Sequence, residues 1–336
     1  MYIKNIKQKI FTTANIADFN NAAVEIFKQQ YKTNQVYNLY VNYLGINPNQ
    51  VDSVNKIPFL PIQFFKSHNV ISGNVKPEEC AAVFTSSGTT GQNTSRHYVK
   101  DIDIYYDSLE KGFEEFYGSP ENYTILALLP SYLERKGSSL IVMAQRLMKL
   151  SGQKEEGFFL YDFAALQQRI NQEIASGKKV LLIGVTFALL DFAEQYPQHY
   201  GDNVIIMETG GMKGRKKEIV RDEVHRILTT QLGVKSIHSE YGMTELLSQA
   251  YSQGGGIYRE TSTMKIIIRD STDPLRPAPI ETAGGVNVID LANINSCAFI
   301  ETQDIGIKHS DGTFEILGRF DTSDIRGCSL MYTSVK

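Results

Sequence analysis

Seven consecutive residues, Thr85-Ser86-Ser87-Gly88-Thr89-Thr90-Gly91, gather hydroxyls and glycines into one short loop. The glycines admit backbone angles that a Cβ would forbid. Successive N–H groups and hydroxyls can then wrap around an anion such as a phosphate. Further along stand Gly210-Gly211, then Tyr241-Gly242-Met243-Thr244-Glu245, then Asp304 and Arg319. A glycine pair directly after a strand lets a flat ligand approach the backbone. Tyr241 beside Gly242 offers an uncrowded ring face, Thr244 a hydroxyl donor, and Glu245 a hard carboxylate suited to Mg²⁺. Asp304 can accept hydrogen bonds from a ribose diol, and Arg319 can donate to sugar or phosphate. Each feature also has a purely structural reading. The loop can be a hairpin turn, Tyr241 a core or rim ring, Glu245 a first-turn helix residue, and Asp304-x-Gly306 a turn. Taken singly, the loop stays open between its two readings and the later residues are read as structural.

The elements that must position these groups follow from periodicity. AAVF before the loop and RHYV after it read as strands, which makes a strand–loop–strand element. A Walker P-loop is excluded, because G-x-x-x-x-G-K-[ST] is absent. Residues 15–31 carry apolar positions at helical spacing, with Asn15 as N-cap, and residues 35–44 continue the pattern to Gly45. Residues 57–66, punctuated by Pro58 and Pro61, read as extended. A helix is expected over 102–116, a buried strand over 123–129 and a helix over 140–150. Strands at 157–161, 180–183, 204–207 and 236–238 then alternate with helices through 174, over 188–196 and over 216–232. This alternation predicts an α/β fold with a mostly parallel, helix-covered sheet. In such sheets ligands sit off the carboxyl ends of the strands, so the loops 130–139, 184–187, 208–214 and 239–245 belong to one edge. After about residue 251 short strands between Pro/Gly-rich turns (265–268, 285–290, 298–300) read as a β-rich subdomain.

Composition narrows the class. The 336 residues are 42% hydrophobic and 21% charged, with net charge −3, so bulk charge points to neither nucleic acid nor a membrane surface. The N-terminus has no apolar signal core, and no run approaches the roughly 18 apolar residues of a spanning helix. Cys80, Cys297 and Cys328 show neither metal-ligand nor redox spacing, so a reducing cytoplasm is expected.

The order and spacing of the motifs carry more than any one of them. TSSGTTG, then Gly-Gly, then YGMTE, ETQDIG and GRFD resembles the adenylate-forming superfamily of acyl-CoA synthetases, luciferases and nonribosomal adenylation domains. Gln303 stands where that pattern has Gly. LPSYLERKGSSLI, the GGMKGR run and the ending GRFDTSDIRGCSL are similar to the acyl-protein synthetase of bacterial luminescence, the long-chain-fatty-acid–luciferin-component ligase family. The resemblance implies activation of a carboxylic acid, a fatty acid in that family, as acyl-AMP, followed by transfer to a thiol. ATP and Mg²⁺ would serve. The acceptor would be Cys328 or coenzyme A, and onward transfer would go to a reductase or carrier protein. Residues 85–91 would hold the β- and γ-phosphates, Thr244 the α-phosphate and Glu245 the Mg²⁺. Gly210-Gly211 and Tyr241-Gly242 would sandwich adenine, with Asp304 and Arg319 on the ribose. The acyl chain would enter an apolar slot near Tyr132, Val185 and Phe187.

The resemblance divides the chain into an adenylate-forming domain over 1–317 and a hinge remnant with a short tail over 318–336. Two departures accompany it. Gln92 replaces the Lys expected after Gly91, leaving Arg96 as the nearest cation. Most superfamily members continue for roughly 100 further residues as a mobile domain. The truncated ending fits the acyl-protein synthetases, and a stand-alone acyl-CoA ligase and a non-catalytic nucleotide-binding module are the alternatives.

Overall fold

The computed structural model describes residues 2–12, 15–86, 94–130, 137–154, 157–210 and 220–320. Helices α1 (Tyr2–Ile10), α2 (Ile16–Thr33) and α3 (Gln35–Tyr43) open the chain. As expected, Asn15 caps α2: its side chain accepts from the Asp18 N–H, satisfying an orphan donor of the first turn. The stripe Phe19, Ala22, Ala23, Ile26 and Phe27 is buried, and Phe27 meets Tyr37 and Phe299 edge-on. Each fully buried ring of this kind stabilises by about 2–3 kcal/mol. Gln30, also buried, donates to the Asn293 carbonyl and accepts from the Ala298 N–H, each at 2.9 Å. Those two bonds fix the loop that carries Asn293.

Residues 57–66 depart from the expected extended run. Only β1 (Leu60–Pro61) is a strand, paired in parallel with Ile300 and Glu301. Beyond Pro61 no ring blocks a helical turn, and α4 (Phe64–Ser67) forms and brings Lys66 to the central cavity. β2 (Ala82–Thr85) and β3 (Arg96–Val99) then make the antiparallel pair flanking the Ser/Thr/Gly loop.

The alternating middle is as the periodicity predicts. α5 (Ile102–Tyr117), β4 (Tyr123–Leu128), α6 (Ser139–Leu150), β5 (Phe158–Phe159) and α7 (Phe163–Ala175) come first. β6 (Lys179–Val185), α8 (Thr186–Gln195), β7 (Val204–Thr209), α9 (Arg221–Leu232) and β8 (Ile237–Tyr241) follow. β5, β4, β6, β7 and β8 lie side by side, all parallel. Residues 125–129 and 180–183 are buried, as strands covered on both faces require. The carboxyl ends of β6, β7 and β8 therefore reach one edge with Val185, Thr209 and Tyr241.

Beyond β8 the sheet turns antiparallel. β9 (Ala250–Ser252), β10 (Ile257–Glu260), β11 (Met264–Arg269), β12 (Ala283–Asp290), β13 (Phe299–Lys308) and β14 (Phe314–Arg319) complete it. The hydrogen-bonded order is β11-β12-β13-β14-β10-β9-β8-β7-β6-β4-β5. Strands read from the sequence as short are long here, β13 running for 10 residues. Asp304-x-Gly306 is consequently no turn. It lies inside β13, with Asp304 paired opposite Arg319 of β14. Among the described residues no helix is long and apolar enough to cross a membrane.

Candidate active site

A cavity of about 690 Å³ opens where the parallel half of the sheet meets the antiparallel half. Thr85 and Ser86 reach it from the end of β2, and Gly210 from the end of β7. Tyr241, Gly242, Thr244 and Glu245 reach it from β8 and the loop behind it, and Asp304 and Arg319 from β13 and β14. Residues more than 200 positions apart thus share one wall.

The phosphate-loop candidate is closed at its base. The Ser86 N–H donates to the Ser95 carbonyl at 3.2 Å, and the Ser95 N–H donates to Ser86 Oγ at 3.0 Å. The Thr85 N–H donates to the Gly137 carbonyl at 2.8 Å. Gly137 has φ +82°, and a Cβ there would stand 2.8 Å from the Val83 carbonyl, so this approach requires glycine. Ser87, Gly88, Thr89, Thr90 and Gly91 lie outside the described residues, as do Gly211, Tyr132 and Cys328.

The Thr244-Glu245 loop is held by groups that motif reading missed. Asp290, buried at the end of β12, accepts from the N–H groups of Leu247 and Ser248 and from the Ser248 hydroxyl. The Asn293 amide donates to the Glu245 carbonyl at 2.7 Å. His97 of β3 places Nδ1 at 2.9 Å from the Thr244 carbonyl and Nε2 at 2.9 Å from Asn293 Oδ1. Burial pushes the His97 imidazole down to about 4, so near neutral pH the ring carries one N–H and donates through one nitrogen only. The sequence held one signal for these anchors: Asp290 and Asn293, with Asn287, are the polar residues of the otherwise apolar run VNVIDLANI. A buried polar group is kept only where it finds partners.

Glu245 is itself buried, and burial pushes its carboxyl above the usual range. A cation at its oxygens would restore the ionised form. Lys66 lies close enough for its charge to act on Glu245, and it was not foreseen as a site residue. Among the described residues no cluster of three or more His, Cys, Asp or Glu forms a cage for a metal. One carboxylate together with phosphate oxygens is nevertheless a donor set that Mg²⁺ accepts.

Tyr241 differs from the expectation of an uncrowded ring. It is 8% exposed, its edges pack against Tyr258 and Phe314, and its hydroxyl donates to Asp304 Oδ2 at 2.8 Å. Arg319 Nε meets Asp304 Oδ1 at 3.0 Å. Asp304, one of the residues lining the cavity, is thereby oriented by both neighbours. Behind it, Arg269 is buried in β11 and donates to the Val286 and Thr302 carbonyls, which braces β13.

The expected apolar slot at Val185 and Phe187 needs correcting. Both side chains are in the core, 0% and 2% exposed, and the residue that reaches the cavity is Thr186 between them. α8 starts at Thr186, and that change from strand to helix turns its hydroxyl onto Glu208 Oε2 and the Gly210 carbonyl. Glu240, next to Tyr241, also lines the cavity and was not singled out from the sequence.

Set against solved structures, this is the fold of the adenylate-forming acyl-CoA ligases. A 2-hydroxyisobutyryl-CoA ligase, solved with its acyl-AMP and CoA, matches at TM-score 0.63 and 13% identity over 92% of this chain and 72% of that one. ATP-bound MatB from Rhodopseudomonas palustris matches at TM-score 0.52 and 15% identity over 74% of this chain and 50% of its own. The O-succinylbenzoate coenzyme A synthetase MenE from Bacillus subtilis, in complex with AMP, matches at 0.52 and 14% over 73% and 50%. The chain therefore spans about half the length of several of the structures it matches. No curated protein matches it in sequence. The family model "Acyl-protein synthetase, LuxE" matches residues 12–335, and the chain belongs to that family.

Proposed function

We propose that the chain is a cytoplasmic, ATP-dependent acid–thiol ligase of the acyl-protein synthetase type. The observation that carries this reading is the convergence of Thr85, Thr244, Glu245, Asp304 and Arg319 on one cavity, in a chain of this family. In the first step a carboxylate oxygen bonds to the α-phosphorus of ATP. The bond from that phosphorus to the bridging oxygen breaks, and pyrophosphate leaves with the electron pair. Two anions meet in this step, so positive charge and hydrogen-bond donors must be fixed beforehand. Thr244 donates to the α-phosphate, and residues 85–91 hold the distal phosphates. Lys66 supplies a cation at that end, where Gln92 has replaced the usual Lys. Glu245 would hold Mg²⁺, which neutralises phosphate oxygens when bound. Gly210-Gly211 and Tyr241-Gly242 flank the adenine, and Asp304, oriented by Tyr241 and Arg319, accepts from the ribose hydroxyls. In the second step a thiolate bonds to the acyl carbon and the C–O bond to AMP breaks. The thiolate belongs to Cys328 or to coenzyme A, and a reductase or carrier protein would take the acyl group onward.

Acid-dependent ATP–pyrophosphate exchange tests the first step. Glu245→Ala is expected to lower it about 100-fold or more, and unchanged exchange would remove Glu245 from the mechanism. For the second step, incubation with ATP and the acid should leave one hydroxylamine-labile acyl group on the Cys328 peptide. Full turnover by Cys328→Ala with coenzyme A, and no adduct, would make the protein a stand-alone acyl-CoA ligase.

A further inference from the structure

The far end of β14 is weakly held by the sheet, yet it carries Arg319, one of the two side chains that orient Asp304. β14 pairs with β10 only at Phe314 and Glu315, opposite Tyr258 and Ile257. Next in register, Gly256 lies in a turn at φ +68°, so β10 has no strand to offer Ile316. On the β13 side the register shifts between Ile305 and Gly306, which leaves Leu317 as an extra residue in β14. One side chain takes the place of the missing neighbour. Arg221, the first residue of α9, lines the cavity and donates from Nη1 to the Ile316 carbonyl at 2.9 Å. Its stem lies over Gly256, where a Cβ would stand 2.8 Å from Cδ, and its guanidinium sits 5.6 Å from the centroid of the Tyr258 ring. Its Nε is 3.8 Å from Glu208 Oε1 near the end of β7. Glu208 is buried and is anchored in turn by His225, Ser239 and Thr186. Arg221 thus spans the seam from the parallel half of the sheet to the antiparallel half.

We propose that Arg221 is a positioning residue for nucleotide binding, and that it acts by holding both side chains that orient Asp304. Arg319 is held through the Ile316 carbonyl, three residues back along β14. Tyr241 is held through Tyr258: the Arg221 guanidinium covers the Tyr258 ring, which stacks on Phe314 and meets the Tyr241 ring edge-on. The Tyr241 hydroxyl then donates to Asp304. The two routes end on one carboxylate, so losing Arg221 loosens Asp304 from both sides. The inference rests on the reading given above, in which Asp304 accepts from the ribose hydroxyls, and it adds a residue to that contact. Guanidinium shape matters here. A planar cation can lie on a ring and donate in its own plane to a carbonyl at the same time, which an ammonium group cannot. No contiguous motif announces this role, because Arg221 stands 95 residues from Ile316 in the chain.

The test uses the full chain and calorimetric binding of ATP and of dideoxy-ATP, which lacks the ribose hydroxyls that Asp304 would receive. Wild type should bind ATP about 10- to 100-fold more tightly than the dideoxy analogue. Arg221→Met should weaken ATP about 10-fold and leave the analogue within about 2-fold of its wild-type affinity. In an Asp304→Ala background the same substitution should change ATP affinity less than about 2-fold, because the group it acts through is gone. Urea unfolding reports whether each variant is folded. If Arg221→Met does not fold, Arg221→Lys keeps a charge near Glu208 and should weaken ATP about 3-fold, again without effect on the analogue. Equal loss of both nucleotides, an undiminished preference for ATP, or a full effect of the substitution in the Asp304→Ala background overturns the proposal. Binding that meets these expectations without acid-dependent pyrophosphate exchange keeps the positioning role and overturns the ligase reading. No binding of ATP by the wild type, or equal binding of the two nucleotides, overturns the ribose contact and the proposal with it.

Discussion

Replacing Glu240 by glutamine should alter how stability depends on pH, by an amount the structure sets. The side chain is buried beside Thr209 and Gly242, so ionising it forfeits hydration that one hydroxyl only partly replaces. Its carboxyl titrates at about 7 in the folded protein, against 4.5 for an ordinary glutamate. Between those values the folded protein holds a proton that the unfolded chain has released. Stability from this group is therefore full below about pH 4.5 and is lost as pH rises through about 7. At about 1.4 kcal/mol per pH unit the whole span is about 3 kcal/mol, of which about 2–3 kcal/mol falls between pH 5 and pH 8. Glutamine keeps an oxygen for the Thr209 hydroxyl and cannot ionise. Urea unfolding of both proteins at several pH values isolates the effect, because every other titrating group cancels in the difference. Wild type minus Glu240→Gln should fall by that amount from pH 5 to pH 8. A constant difference would refute the argument that the ionised carboxylate is poorly solvated in the folded state. The offset between the two curves carries no weight here; only the slope does.

Two further substitutions address the nucleotide end. Asp304→Ala removes the acceptor that Tyr241 and Arg319 orient, and should weaken ATP binding about 10- to 100-fold in calorimetry while acid binding is retained. An equal loss of both would count against a ribose contact. His97→Phe keeps a ring against Phe65 and Phe84 but removes both ring nitrogens, at 2.9 Å from the Thr244 carbonyl and from Asn293 Oδ1. It should slow exchange about 10-fold with ATP affinity nearly unchanged, and wild-type exchange would show that the tether does not position Thr244.

Much of the architecture was legible because it is written in local patterns. Alternating apolar strands and amphipathic helices specify the parallel half of the sheet, and Asn15, Asp101 and Ser138 cap their helices through contacts only a few residues away. The regions that resisted reading are those where partners come from far along the chain. Residues 299–308 read as a short strand and a turn, because Asp304-x-Gly306 has turn composition. Pairing with β12 and β14 on either side overrides that local preference. Residues 64–67 form a helical turn that the neighbouring prolines disguised.

The same division holds for the site. TSSGTTG, YGMTE, ETQDIG and GRFD are contiguous motifs, and their chemistry is a property of residue type and short spacing. The sequence by itself therefore pointed to the groups proposed here to meet a nucleotide and to the family to which the chain is similar. Only the tertiary structure decided that Val185 and Phe187 belong to the core, that Tyr241 is bonded to Asp304, and that His97, Asp290 and Asn293 hold the Thr244-Glu245 loop. It alone brought Lys66, Glu240 and Gln249 to the cavity. Apart from the polar positions of Asp290 and Asn293 in an apolar run, none of these roles has a sequence signature, because each depends on burial and on partners tens to hundreds of residues away. Desolvation and hydrogen bonding act through space, and only the folded chain specifies which groups share it.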